Sequence, residues 1–411
     1  MANISDNLIS VAETLLHTIR NIYGGTDLSA NEKEVYEAKK RIQQLCLSIL
    51  KDVAGPAEYT ILLAESCHES AALHLVTELR VADVIGEDTK SLSDIAKEVN
   101  VDVRYIGAAM NCLLRHGYFE EVQGFDYQAF KNNMMSSVLR ENNPDNLREA
   151  IGFICDDGFK AAAYLAEAAR ASVSNGAKDS PAPAALNLAL GFEGSVFKHW
   201  EDPSHAWHGK RMGQAMKQLH QMANANVIVD FNWQALVSPL VDVGGGIGSL
   251  EMALTRAYPS SALQYIIVDI PDTIKAARAI RQSVSFVAGD FLAPTLEATQ
   301  LPRGEPTYLI RHVLHDWTDQ EVVTILKNVR AAMVSPPLPP ISRLLLCEML
   351  LREDSGRFAY TTSIQVLALN NGIIRTEKEM HALLAQAGFR VVTTHTMRAV
   401  DTIIEAVPAS V

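Results

Sequence analysis

Apolar side chains at helical spacing dominate the start of the chain, residues 1–55. Val11, Leu15 and Ile19 recur four positions apart, and a second run of this kind extends over 35–50. Because side chains four positions apart share one face of a helix, this pattern predicts an N-terminal helical extension with an apolar face. We expect that face to pack against a partner surface.

Residues 56–140 show shorter helical patterns that end in a small β element. The segment Ser91–Val122 predicts a helix, a turn, a second helix and a hairpin strand, which is a winged-helix arrangement. The second helix, Val103–Arg115, would be the recognition helix if this domain read DNA. It offers only Arg104 and Arg115 as cations among many apolar side chains. This composition favours packing over phosphate contact.

The remainder divides into a mostly helical region, 141–230, and a region, 231–411, in which strands alternate with helices. Five strands, of which the first four precede helices, are predicted at Leu240–Val243, Gln264–Asp269, Val284–Ala288, Thr307–His312 and Arg343–Glu348. This alternation predicts an α/β fold with a doubly wound, mostly parallel sheet. Two further β-rich runs, Phe389–Met397 and Asp401–Val407, predict an antiparallel hairpin at its edge.

Composition narrows the class of protein. The 411 residues are 48% hydrophobic and 20% charged, which is typical of globular chains, and they exceed what one core usually organises, so we expect two domains. No stretch reaches the about 18 apolar residues of a membrane span, and the start lacks the basic flank of a signal peptide. We therefore expect a cytoplasmic protein without a membrane partner.

Charge and cysteine spacing disfavour two further classes. The net charge of −12, without a basic stripe to offset it, disfavours nucleic acid as a partner. The five cysteines are scattered, without the paired short spacings of a zinc site or the density of a disulfide scaffold. We expect buried free thiols and no metal site.

The strongest local signal is the run Val-Asp-Val-Gly-Gly-Gly-Ile-Gly at 241–248, between a predicted strand and a predicted helix. Glycines let the backbone turn sharply and let a ligand approach with no Cβ in the way. The run alone could serve a dinucleotide or S-adenosylmethionine (SAM), or could be a plain tight turn. The dinucleotide fingerprint G-x-G-x-x-G is only partly met, because its last position, counted from Gly244, is Ser249.

Acidic and aromatic residues close the next two predicted strands. Asp269 can accept hydrogen bonds from two ribose hydroxyls, although it could instead cap the helix that begins near Pro271. Asp290 and Phe291 suit adenine, whose amino group donates a hydrogen bond and whose face stacks on a ring. Since the carboxyl ends of parallel strands meet at one edge of a sheet, these groups predict a single ligand site there.

The fourth predicted strand ends in the run Arg-His-Val-Leu-His-Asp-Trp, residues 311–317. A lone histidine is more often structural than functional. His315, however, falls at the same sheet edge as the glycine loop, where an imidazole can take a proton near neutral pH. The position therefore favours a functional role.

The runs VDVGGGIG, VDIP, GDF and RHVLHDW resemble, in their order and spacing, the caffeic-acid-type small-molecule O-methyltransferases of class I. The resemblance covers most of the chain, since that family also has an N-terminal winged-helix dimerisation domain. It implies a Rossmann-like class I methyltransferase fold, SAM as cofactor, a small secondary metabolite as substrate, and a homodimer.

The resemblance also implies roles for individual residues. The cofactor contacts it implies are Asp242, Gly244, Gly245, Gly246, Gly248, Asp269, Asp290, Phe291 and Arg311. His315 would be the general base that removes a hydroxyl proton as the oxygen attacks the methyl group in line, with Glu348 orienting its ring. Met216, Asp316 and Trp317 would shape the substrate pocket.

The sequence departs from the family at the partners of the histidine. Where the family places a second glutamate, in a G-K-E-R-T motif, this chain has Ile374, and Ser363 stands where an upstream aspartate is usual. Losing one carboxylate weakens the stabilisation of an imidazolium. This leaves open a second function, in which SAM stays unreacted while His315 and Arg311 polarise a substrate during dehydration or pericyclic ring closure.

Overall fold

The structure of the chain is a computed structural model that describes residues 2–24, 32–122, 128–175, 182–223, 226–280, 284–336 and 342–409. It contains two compact units, Met1–Asp156 and Asp157–Val411. Parts of all four predicted regions lie outside the described residues. They are 1 and 25–31 in the helical extension, 123–127 in the region 56–140, 176–181 and 224–225 in the helical region 141–230, and 281–283, 337–341 and 410–411 in the region 231–411. No helix in the described part of the chain is long and apolar enough to cross a membrane.

The first unit is mostly helical. Its described helices are α1 (Ala2–Tyr23), α2 (Glu32–Glu78), α3 (Val81–Ile85), α4 (Leu92–Glu98), α5 (Val103–Arg115), α6 (Met134–Ser137) and α7 (Arg148–Gly152), and its strands are β1 (Lys90–Ser91), β2 (Glu120–Glu121) and β3 (Ala129–Lys131). The long helix α2 bends at Gly55, where φ is 70° and ψ is 174°, and Pro56 follows without an N–H to donate.

The predicted winged helix lies in the first unit. Ser91 and Asp102 start α4 and α5 by accepting hydrogen bonds from backbone amides in the first turn. β3 pairs antiparallel with both β1 and β2. Ile106, Met110 and Leu113 of α5 are at most 1% exposed, within the core of the unit. The helix that could have read DNA therefore uses its apolar face to close its own core.

The second unit begins with helices that precede its sheet. They are α8 (Gly158–Ala163), α9 (Leu165–Asn175), α10 (Ala185–Leu190), α11 (Val196–Glu201), α12 (Ala206–Ala223) and α13 (Val227–Asp230). A π-helix, Phe153–Asp157, leads into α8. The last residue of that π-helix, Asp157, is fully buried and forms an ion pair with Arg211 of α12 at 2.8 Å.

A seven-stranded sheet organises the rest of the second unit. In chain order its elements are β4 (Leu240–Val243), α14 (Ser249–Ala257), β5 (Tyr265–Asp269), α15 (Pro271–Ile280), β6 (Ser285–Ala288), α16 (Leu296–Thr299), β7 (Thr307–Arg311), α17 (Asp319–Met333), β8 (Arg343–Met349), α18 (Arg357–Asn370), α19 (Glu377–Gln386), β9 (Phe389–Thr396) and β10 (Asp401–Pro408). The strand order is β6-β5-β4-β7-β8-β10-β9. Neighbouring strands from β6 to β8 pair in parallel, whereas β10 pairs antiparallel with both β8 and β9. The predicted α/β fold class is confirmed, and each predicted strand boundary agrees to within one residue.

Apolar cores cover both faces of this sheet. Along β7, Tyr308 and Ile310 belong to one buried cluster, whereas Leu309 between them belongs to another. Alternate side chains of a strand point to opposite faces, so the strand is buried on both sides, as in doubly wound folds. The chain order reverses at β4, since β5 and β6 lie on one side of it and β7 on the other. Open α/β sheets bind ligands at the carboxyl ends of strands that flank such a point.

Candidate active site

The glycine loop after β4 adopts a conformation that glycine reaches most readily. Positive φ angles of 80°, 62° and 80° occur at Gly244, Gly246 and Gly248. A Cβ on Gly244 would lie 2.6 Å from Val313, and one on Gly245 would collide with the carboxylate of Asp242. Among the described residues, nothing lies within 4 Å of the Cβ position of Gly246. The loop is therefore packed on its inner side and open at Gly246.

Two carboxyl groups lie beside the loop. Asp269, the last residue of β5, accepts hydrogen bonds from the amides of Gly246 at 2.9 Å and Ile270 at 2.8 Å, and burial raises its pKa. Asp242, in β4, is 2% exposed, and burial together with the neighbouring Glu251 raises its pKa well above the usual value. Asp269 therefore ties the loop to the next strand, and Asp242 fills the space behind the loop.

An aromatic ring that follows β6 reaches the same edge. Phe291 is half-buried, and a carbon of its ring lies 3.6 Å from the Cβ position of Gly244. It meets the ring of Trp317 edge to face, with 5.7 Å between the centroids. Asp290 is exposed and accepts a hydrogen bond from the amide of Leu292 at 2.8 Å. The structure thus brings Gly244 of the glycine loop, Phe291 and Trp317 into one neighbourhood.

A buried carboxylate fixes the ring of His315. The histidine lies on a short 3₁₀ turn, Leu314–Asp316, that follows β7. Its Nδ1 is 2.9 Å from Oε2 of Glu348, which is 2% exposed in β8. The other oxygen of Glu348 accepts hydrogen bonds from the amides of Val313 at 2.9 Å and Leu314 at 2.8 Å. Glu348 therefore fixes both the turn and the orientation of the ring through Nδ1. The other ring nitrogen, Nε2, is not used by this contact.

Charges around His315 favour its protonated form. Burial lowers the pKa of the ring, but the carboxylates of Asp316 and Glu348 outweigh burial and raise the pKa to about 9. Nε2 of the ring lies 3.8 Å from Oδ2 of Asp316, whose other oxygen accepts a hydrogen bond from Asn370 at 2.6 Å. At neutral pH the ring is therefore an imidazolium.

Arg375 clamps the histidine turn, a role that the sequence analysis missed. Its guanidinium donates to the carbonyls of Leu314 at 2.8 Å and Trp317 at 2.7 Å and to the carboxylate of Asp319 at 2.8 Å. The side chain is 1% exposed. Its neighbour Ile374, where the family has glutamate, is 4% exposed. The available signal was the apolar pair Ile373 and Ile374 directly before the arginine, because a cation carried into a buried segment needs partners.

A second histidine group beside the turn was also missed. Nδ1 of His312 is 2.8 Å from Nε2 of His220 on α12, and Nε2 of His312 is 2.7 Å from Oδ2 of Asp401 in β10. Arg311 lies 3.8 Å from the same carboxylate. Met216, the predicted substrate contact, is half-buried one helical turn before His220. No local pattern points to the group, because 92 and 89 residues separate its members.

A surface cavity of about 470 Å³ lies elsewhere in the second unit. Its lining includes Tyr265 and Ser285, the first residues of β5 and β6, and none of the predicted site residues. Because ligands of open α/β sheets bind at the carboxyl ends of the strands, we assign the active site to the opposite edge, which carries the glycine loop and His315.

Comparisons with known proteins agree with this geometry. A family model described as an O-methyltransferase domain matches residues 185–390. O-methyltransferase gedA of Aspergillus terreus is 25% identical, and the match covers 97% of this chain and 92% of gedA. Sterigmatocystin 8-O-methyltransferase of Aspergillus flavus is 28% identical, over 86% of this chain and 81% of its own length.

A solved structure shows the same fold. OxaC in complex with SAH and oxaline has a TM-score of 0.75 and 20% identity, over 98% of this chain and 100% of OxaC. Other solved structures with this fold hold SAM or its demethylated product, S-adenosylhomocysteine (SAH). The chain belongs to the class I O-methyltransferase family of secondary metabolism, and its cofactor is SAM.

Proposed function

We propose that the chain transfers the methyl group of SAM to a hydroxyl of a small secondary metabolite, with His315 as the general base. The observation that carries the proposal is the buried carboxylate of Glu348, 2.9 Å from Nδ1 of His315. A ring held in this way presents Nε2 as the proton-accepting nitrogen. The same arrangement orients and stabilises histidine bases in unrelated acyl-transfer sites.

The groups beside the glycine loop fit the cofactor. The open side of Gly246 admits a ligand, the Asp269 carboxylate suits ribose hydroxyls, and the ring of Phe291 suits adenine. The full proposed set is Asp242, Gly244, Gly245, Gly246, Gly248, Asp269, Asp290, Phe291 and Arg311. When bound, SAM supplies an electrophilic methyl group on a positively charged sulfur.

The proton step follows from the surroundings of His315. The substrate oxygen would take the methyl group while the methyl–sulfur bond breaks and its electron pair stays on sulfur. At the same time the substrate O–H bond breaks and an N–H bond forms at Nε2 of the ring. Glu348 and Asp316 stabilise the resulting imidazolium, which is why the pKa lies at about 9. Since only the neutral ring can accept the proton, transfer through His315 should accelerate as the pH rises toward that value.

We propose a phenol-like acceptor. The name of one relative specifies methylation at a hydroxyl position of sterigmatocystin. The predicted pocket residues Met216, Asp316 and Trp317 combine a thioether, a carboxylate and an indole. Thioether and indole groups pack well against flat aromatic rings, and a carboxylate can accept a hydrogen bond from a further hydroxyl.

Ile374 favours a second candidate function. It places an apolar side chain where the family has a glutamate, and the ring of His315 is an imidazolium at neutral pH. A cationic ring of this kind donates hydrogen bonds. Together with Arg311 it could polarise a substrate carbonyl during dehydration or pericyclic ring closure, with SAM retained unreacted.

Incubation with methyl-labelled SAM and a panel of phenolic polyketides separates the two functions. Methyl transfer should yield a labelled ether and an equal amount of SAH. Near pH 9, where a large share of His315 is neutral, His315→Asn should lower turnover severalfold with little change in SAM affinity, whereas His395→Gln on β9 serves as the matched control. Product that forms without SAH would reject methyl transfer, and a chain that takes up neither SAM nor SAH would reject the cofactor site.

We also propose that the chain is a homodimer assembled through its first unit. Several large apolar side chains on α1 and α2 are exposed, among them Ile9 (54%), Leu50 (48%), Val53 (67%) and Ile61 (58%). Clustered exposed apolar surface marks protein interaction sites. In this arrangement the segments 1–55 and 56–140 serve dimerisation, 141–230 contributes to the substrate pocket, and 231–411 carries catalysis. A monomer in sedimentation velocity at micromolar concentration would contradict it.

A further inference from the structure

A continuous row of three side chains, Asp401, His312 and His220, lies beside the His315 turn, and we name it the histidine relay. Both contacts along it are short, 2.7 Å and 2.8 Å. The Asp401 side chain is fully buried and that of His312 is 15% exposed. The ring of His312 lies 6.2 Å from that of His315, measured between centroids. The relay is therefore an internal structure next to the reacting site.

The backbone of His312 shows that the row is held in place. Its φ is 53°, in the left-handed region that residues other than glycine rarely occupy. Such a conformation persists only where the surroundings determine it. Here both ring nitrogens of His312 are engaged, and its amide donates to the carbonyl of Cys347 at 3.2 Å.

Electrostatics fixes the direction of the hydrogen bonds. Burial raises the pKa of Asp401, but His312 and Arg311 outweigh burial, so the pKa lies below the usual value and the group is a carboxylate. It must then accept a hydrogen bond from the Nε2–H of His312. When His312 is neutral and its proton is on Nε2, its Nδ1 carries a lone pair. The Nε2–H of His220 then donates a hydrogen bond to Nδ1 of His312. The lone pair of His220 is left on Nδ1.

His220 does not stay protonated near neutral pH. Burial is the largest cause that lowers the pKa of His220 to about 2, and the charge of Arg311 lowers it further. The charged or titratable groups around the relay are Arg311 on β7, His315 on the turn, Cys347 and Glu348 on β8, and Asp401 on β10. Among these, only Asp401 accepts a hydrogen bond from a relay histidine. A proton that enters at His220 therefore comes to rest on His312, beside Asp401.

We propose that His220 is a second catalytic base, which takes the hydroxyl proton of the acceptor at Nδ1 while it passes its own Nε2 proton to Nδ1 of His312. The O–H bond and the His220 Nε2–H bond break, and N–H bonds form at His220 Nδ1 and His312 Nδ1. The positive charge ends on His312 next to Asp401. His312 and Asp401 act through His220 and are positioning residues. This inference rests on the proposed function.

Near neutral pH the relay supplies a proton acceptor while His315 is protonated. His315 is an imidazolium under those conditions, whereas His220 is neutral. His220 also lies four residues after Met216, so the two side chains share one face of α12. The helix that carries the predicted substrate contact therefore also carries a proton acceptor.

The tautomer of His220 tests the relay without any acceptor. Long-range ¹H–¹⁵N NMR on histidine-labelled protein with SAH, assigned through His220→Gln and His312→Gln, should show a neutral His220 ring with its proton on Nε2 at neutral pH. A proton on Nδ1, or a cationic His220, would overturn the proposal. This readout stands even if methyl transfer fails, so the two failures are distinguishable.

A kinetic comparison tests the proton transfer itself. With labelled SAM and a phenol that is protonated at neutral pH, Asp401→Asn and His220→Gln should lower kcat by roughly tenfold or more while KM changes little. With a nitrophenol that is already ionised the loss should disappear, because no proton needs to leave. Equal losses on both acceptors would show a merely structural role. The matched control is His395→Gln, since His395 also lies near a carboxylate, Glu405, at 3.4 Å.

Discussion

Replacing Glu348 with glutamine tests the proposed role of His315 most directly. In Glu348→Gln, one side-chain oxygen can still accept from the amides of Val313 and Leu314. The new amide nitrogen, however, is a donor and faces Nδ1 of His315 where a carboxylate oxygen stood 2.9 Å away. The ring must then carry its proton on Nε2, which is the wrong tautomer for a base.

The magnitude follows from the pKa of His315. The difference between the ordinary histidine value of 6.5 and about 9 corresponds to about 3 kcal/mol of stabilisation of the imidazolium. Glu348 shares this effect with Asp316, so we expect the variant to lose at least half of it. Together with the tautomer change, turnover through His315 at pH 8, measured in a His220→Gln background, should fall by roughly a hundredfold or more.

Two measurements check this prediction. Labelled-SAM turnover should fall as stated, and the pH dependence of Tm should flatten. A histidine whose pKa is raised in the folded state contributes stability that is fully present below pH 6.5 and is lost as the pH rises through about 9. Glu405→Gln is the matched control, because Glu405 is also near a histidine, His395, away from the site. A variant with unchanged turnover and an unchanged Tm profile would refute the reasoning.

Four further predictions concern the cofactor loop, the turn and the histidine relay. Asp269→Asn should weaken SAH binding by roughly tenfold or more in calorimetry, since a charged acceptor for Gly246 is lost; unchanged affinity would move the cofactor elsewhere. Gly244→Ala should destabilise the fold by at least about 1–2 kcal/mol, because φ is 80° and Val313 is 2.6 Å away; Gly356→Ala, which meets no atom within 4 Å among the described residues, is the control for the shift in Tm. Arg375→Lys should lower Tm by several degrees, because a lysine cannot donate to both carbonyls and the carboxylate with the same geometry; an unchanged Tm would contradict the clamp. In His220→Gln, turnover should keep only the His315 route and rise with pH toward about 9; a flat profile would contradict that value.

Local patterns in the sequence were enough to predict the sheet. Strands buried on both faces appear as short apolar runs, and the run at β4 gave both of its boundaries, Leu240 and Val243. The glycine loop was equally visible, since positive φ at Gly244, Gly246 and Gly248 has a steric cause that acts within a few residues. The departure at Ile374 was also readable, because it lies within a short motif.

Contacts between distant segments were decided by the tertiary structure. The pairing of Glu348 with His315 was implied by family resemblance alone, and its geometry and the high pKa that results depend on β8 lying beside β7. No local pattern identified the partner of Arg375, Leu314, which lies 61 residues away, or the row His220, His312 and Asp401.

The physical reason is the distance along the chain over which the interactions behind each feature act. Hydrophobic periodicity and backbone sterics act between near neighbours, so the order of residues alone determines which segments become strands, helices and glycine turns. Burial, ion pairing and hydrogen-bond direction depend on which side chains the folded sheet and its helices bring within a few ångströms. The sequence therefore determined that this chain builds a cofactor-binding sheet edge, and only the tertiary structure decided which side chains surround each of its histidines.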